Sequence, residues 1–146
     1  MKIESVFKNG ENIPPKYTCD GENINLPLKF IDVPENTKSL ALIFDDPDSP
    51  SGIWTHWIVW NIDPKNLEIK ENSVPKNSVL GKTTFGEIGY GGPCPGSGEH
   101  RYVFKLFALD IVLNLVEGAE ISELEKAIED HVIAKAELIG KYEREN

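Results

Sequence analysis

The sequence predicts a mostly β domain, a sandwich of antiparallel strands closed toward its C-terminal end by an acidic amphipathic helical segment. Three observations predict it. Short runs of strand-forming residues are broken by Pro, Gly and Asn every ten or so positions. The runs alternate apolar and polar residues or are apolar throughout. After about residue 120 the apolar period changes from two to three or four.

Taken in order, Ser39-Leu40-Ala41-Leu42-Ile43-Phe44 is a continuous apolar run that reads as a strand buried on both faces. Ile53 to Ile62 alternates, placing Trp54, His56, Ile58 and Trp60 on one face and Thr55, Trp57 and Val59 on the other. A strand beginning at His100 puts His100, Tyr102, Phe104, Leu106 and Ala108 on a common face. The Pro- and Asn-rich stretches 11–15 and 63–78 read as loops. Ile121, Leu124, Ile128, Val132, Ala136 and Ile139 form a helical stripe, with Ser122 and Glu125 spaced as a capping box and Gly140 as the stop. His131 falls at the edge of that helix, outside any site.

The 146 residues suffice for one domain with a real core, spanning 1–146. No run of about 18 apolar residues spans a membrane, and the start, Met1-Lys2-Ile3-Glu4-Ser5, has no signal-peptide core, so the expected location is cytoplasmic. The net charge is −9, and residues 117–146 hold nine acids against four bases. Without a basic stripe the chain is unsuited to nucleic acid or an anionic membrane, so any phosphate must be held by a local pocket. Cys19 and Cys94 lack metal-ligand spacing and read as two reduced thiols. Leu80-Gly81-Lys82-Thr83-Thr84 is a false phosphate loop, because Lys76 stands where the first glycine is needed. No cofactor is expected.

Two histidines, acids, a tyrosine and a glycine-rich loop cluster at the ends of the strand-like runs. His100 and Tyr102 offer neighbouring donors to an anion. The preceding run Gly91-Gly92-Pro93-Cys94-Pro95-Gly96-Ser97-Gly98 allows close backbone approach and can form an anion nest. That run favours a site over a histidine that merely sits at a strand edge. Asp45-Asp46-Pro47-Asp48-Ser49-Pro50 is a turn former, and a hairpin-like return would bring Asp46 or Asp48 to His56, fixing its tautomer.

The order Asp46-Pro47-Asp48-Ser49-Pro50, Trp54-Thr55-His56-Trp57, then Gly98-Glu99-His100-Arg101-Tyr102 resembles the phosphatidylethanolamine-binding protein (PEBP) family. The likeness is to its compact bacterial and archaeal branch, called Raf kinase inhibitor-like, and runs from Tyr17-Thr18-Cys19-Asp20-Gly21 to Ala136-Glu137-Leu138. It implies a Greek-key β-sandwich with a C-terminal helical segment. It also implies an anion pocket lined by Asp46, His56, Gly92, His100 and Tyr102. Cys94 stands where animal members usually have proline, and the long helix flanking their pocket is absent.

The leading expectation is therefore a small-ligand binding protein, not an enzyme, with a rigid pocket for phosphate-like or phosphorylated head groups. In it, imidazoles, the Tyr102 hydroxyl and loop amides near Gly92 hold the oxygens. Modulation of a partner kinase or protease, and homodimer formation, are further expectations that the resemblance carries. The alternative is a metal-dependent or acid–base hydrolase using His56, His100 and Asp46. No nucleophile elbow supports it, since Pro95 displaces the glycine needed two positions before Ser97.

Overall fold

A computed structural model describes residues 1–145, which form two antiparallel sheets packed about a shared core, with one helix. The first sheet orders β1 (Lys2–Glu4), β2 (Leu28–Ile31) and β5 (Glu68–Ile69) side by side. The second orders β6 (Val79–Leu80), β4 (Trp54–Ile62), β3 (Ser39–Asp46), β7 (His100–Leu109) and β8 (Val132–Tyr142). β3 lies at the centre and is buried along its whole length, as its unbroken apolar run requires. The predicted loop 63–78 contributes the two residues of β5, and a short 3-10 turn covers Pro15–Tyr17.

The core is double. Leu40, Leu42 and Phe44 of β3 face the first sheet with Trp57, Val59, Tyr102 and Phe104. Ala41 and Ile43 face outward with Ile58, Trp60 and Leu109, covered by Leu124 and Ile128 of α1 (Ile121–Ile128). The stacked rings of Phe44 and Phe104, 3.9 Å apart, mark the centre of the inner layer.

β4 departs from the predicted alternation. Phe44 pairs with Trp57 and Asp45 with Thr55, so His56 is an extra residue with no partner across the strand. This β-bulge turns His56 to the same side as Trp57, toward Phe44 and Tyr102, instead of outward beside Ile58. A second irregularity follows, where Leu42 pairs with Val59 and Leu40 with Ile62, and Asn61 takes a positive φ of 55°. Strict alternation survives only from Trp57 to Trp60.

The C-terminal stripe is also two elements. The helix covers Ile121–Ile128, and residues 132–142 are strand β8 along β7, from Leu109↔Val132 to His100↔Tyr142. Asp130, at φ 66°, breaks the helix, and His131 bonds Asp110 at 2.8 Å in the exposed connection. Ala136, Leu138 and Tyr142 then bury on alternate positions. The unpaired edge of β7 outweighs the helix propensity of Ala, Glu and Lys. Gly140 ends no helix: a Cβ there would lie 2.6 Å from Ile13. The capping pair is Glu120 and Glu123, two positions earlier than predicted, with Glu123 Oε1 accepting from the Glu120 N–H at 3.0 Å.

Candidate functional site

Three strands end together at one end of the second sheet. β3 delivers Asp46, the bulge in β4 delivers His56, and the first residues of β7 deliver His100 and Tyr102. The ring centroids of His56 and Tyr102 are 5.4 Å apart, and those of His100 and Tyr102 6.4 Å. All four side chains are buried, Tyr102 completely. Four of the five predicted residues thus lie together, with the Phe44 ring 5.7 Å from that of His56 and 6.2 Å from that of Tyr102.

The acid partners differ from those the sequence suggests. Asp46 bonds His100, not His56: its Oδ2 accepts from His100 Nδ1 at 2.7 Å. Its Oδ1 accepts the Asp48 N–H at 2.8 Å, closing the turn at Pro47. Asp48 in turn accepts from the Arg101 backbone, Nε and Nη2 at 2.7–2.9 Å. That pairing holds the Asp48 carboxyl down at about 2. The Asp-Pro-Asp segment is therefore both a turn and a brace for the start of β7.

His56 Nδ1 meets the Gly91 carbonyl at 2.7 Å, and the His56 carbonyl accepts the Gly91 N–H at 2.9 Å. A carbonyl only accepts, so Nδ1 carries the proton and Nε2 is the free lone pair of the neutral ring. Burial pushes the imidazole pKa below its usual 6.5, while Gly91 and the charge of Asp46 oppose the shift. Burial and the nearby Asp46 also raise the Tyr102 phenol well above the usual tyrosine range. Its hydroxyl is buried and has no partner among the described residues, nor has the indole N–H of Trp54.

Gly92 plays another part than the one expected. Its N–H is committed to Asn23 Oδ1 at 2.8 Å, and a Cβ would sit 2.3 Å from the Tyr17 carbonyl oxygen. The glycine permits the loop to pass the 17–23 segment closely; its amide is not free for a ligand. The thiols are not free either, because Cys19 and Cys94 form a disulfide. Their separation of 75 residues conceals a Cα–Cα distance of 5.4 Å.

Trp54 and Phe85 are the residues that sequence reasoning missed. Trp54 pairs across from Asp46, and its buried indole N–H has no partner among the described residues. Half-exposed Phe85 sets its ring edge-on to both His56 and Trp54, at 5.3 and 5.4 Å. Beside it opens a groove of about 330 Å³ lined by Phe85, Ile88, Tyr90, Gly92 and the disulfide.

A family model described as phosphatidylethanolamine-binding protein matches residues 3–143. The chain belongs to the phosphatidylethanolamine-binding protein family. It is 53% identical to a UPF0098 protein of Pyrococcus horikoshii, over 99% of this chain and 77% of that one. It is 50% identical to a UPF0098 protein of Methanothermobacter thermautotrophicus, over 94% and 95%. Among solved structures, the PEBP homologue CT736 of Chlamydia trachomatis superposes with a TM-score of 0.95 at 45% identity, covering 99% and 97%. YbcL of E. coli, described as a member of the mammalian PEBP family, gives 0.92 at 30%, covering 99% and 98%. Like those relatives, this PEBP is mostly β, and among the described residues no helix is long and apolar enough to cross a membrane.

Proposed function

We propose that this protein captures a small phosphate-like oxyanion, free or as a phosphorylated head group, at the cluster of His56, His100, Tyr102 and Trp54. The observation that carries the reading is the buried Tyr102 Oη, without a partner among the described residues, on a ring 5.4 Å from that of His56 and 6.4 Å from that of His100. Trp54 Nε1, buried and likewise without a partner among them, stands across the strand pair from Asp46. A buried polar group without a partner costs about 1–3 kcal/mol, a cost that an arriving acceptor removes. The charge of Asp46 opposes that of the anion, so its part is to orient: its oxygens accept from His100 and the Asp48 amide. A ligand enters past Phe85, from the groove beside it.

A metal-dependent hydrolase is supported less well, because among the described residues no three His, Cys, Asp or Glu side chains are placed to hold a metal ion. Titration calorimetry of the full chain with inorganic phosphate tests the proposal. Saturable binding that His100→Ala weakens at least about 10-fold, roughly 1.4 kcal/mol, supports it. Binding unaffected by that substitution, or none up to millimolar phosphate, refutes it.

A further inference from the structure

The Cys19–Cys94 bridge joins two segments that both reach the candidate site. On one side, the Cys19 N–H donates to the Pro93 carbonyl at 3.1 Å and Asn23 accepts the Gly92 N–H. Tyr90 donates to the Tyr17 carbonyl at 2.7 Å. On the other, the Gly91 carbonyl meets the His56 ring at Nδ1 and the Gly91 N–H donates to the His56 carbonyl. Cys94 is exposed, Cys19 is half-buried, and both line the groove beside Phe85. A reductant therefore reaches sulfur without unfolding the sheets.

We propose that Cys19–Cys94 is a site of reversible thiol–disulfide exchange with a dithiol reductant, and that its opening releases the Gly91–Cys94 segment and unsettles His56. The consequence for anion capture rests on the function proposed above; the structural effect does not. In the exchange, one thiolate of the reductant attacks Cys94 Sγ, the S–S bond breaks, and Cys19 leaves as a thiolate that takes up a proton. The second thiol of the reductant then displaces Cys94 from the mixed disulfide. Two electrons and two protons pass to the protein, which ends with two thiols, while the reductant ends as a disulfide. The bridge is placed as a latch on the loop whose carbonyl sets the His56 tautomer.

The test treats the full chain with dithiothreitol and counts thiols, then follows the His56 ring signals and Gly91 and Gly92 amide exchange by NMR. A parallel titration measures inorganic phosphate. Reduction is expected to speed exchange at Gly91 and Gly92 by about 10-fold or more and to move the His56 signals while the sheets keep their protection. Phosphate affinity should fall at least about 5-fold and return on reoxidation. The Cys19→Ser/Cys94→Ser variant should match the reduced protein and ignore the reductant. Unchanged His56 signals and loop exchange after reduction overturn the latch, even if the melting temperature drops, since a mere staple does that. Global unfolding of both the reduced protein and the double variant overturns it as well. If His56 and Gly91 respond but neither redox state binds phosphate, the latch stands and the anion reading falls.

Discussion

Asp46 and His100 form a buried acid–imidazole pair, Oδ2 to Nδ1 at 2.7 Å, with side chains 5% and 11% exposed. The carboxylate can only accept, so it holds the proton on Nδ1 and leaves Nε2 as the atom available to a ligand. Asp46→Asn presents an amide in its place and loses that control. Phosphate affinity measured by calorimetry should fall about 10-fold or more, the size of one charge-assisted hydrogen bond. An unchanged affinity would remove Asp46 from the site.

Tyr102→Phe separates binding from stability. The hydroxyl it deletes has no partner among the described residues, so the ligand-free protein should be as stable as the parent or about 1 kcal/mol more so by urea unfolding. The same substitution should weaken phosphate binding. Clear destabilisation without ligand would mean that the hydroxyl already has a partner in the protein.

The depressed His56 pKa has a sign that experiment can read. Below the unfolded value, near 6.5, the unfolded chain binds a proton that the folded chain resists. Unfolding free energy must therefore fall as pH drops through 6.5 toward the lowered folded pKa. His56→Gln should flatten that part of the profile. An oxyanion favours the charged ring, so sulfate, which has no proton to give Nε2 and a constant charge in this range, should bind more tightly as pH falls below about 6.5. Phosphate, which can donate a proton to neutral Nε2, should bind at pH 7 as well. Equal pH dependence for the two anions would contradict the assigned tautomer.

Phe85→Ala tests the route of entry. Its ring covers His56 and Trp54 but is itself 45% exposed, so removing it should leave stability within about 1 kcal/mol. Stopped-flow mixing with phosphate should show faster association. A slower or unchanged rate would place the entrance elsewhere, at the His100 side.

Most of the fold is legible because burial enforces it. The run Ser39 to Phe44 could only be a two-sided buried strand, and the even positions from His100 to Ala108 had to share a face. Sequence periodicity alone carries the helix too far, because Val132, Ala136 and Ile139 fit both periods. The deciding factor, the open edge of β7, is tertiary. The site residues were legible as a set, whereas their pairings were not. Asp46 meets His100 and not His56 because β3 lies between β4 and β7, and alternation alone cannot say which neighbour a strand-end acid will choose. Cys19 and Cys94 gave no local signal, since closure across 75 residues depends on the whole fold. Trp54 reads from the sequence as an apolar face residue, and only the structure reveals that its buried N–H has no partner among the described residues.

His56 owes its position to an odd count of residues in β4. The strand has, in effect, a reading frame. Dropping one residue between Trp54 and Trp57 would send the imidazole to the helix-covered side, while every other strand stayed in place. Engineers who graft this binding cluster onto another sheet must copy the miscount along with the side chains.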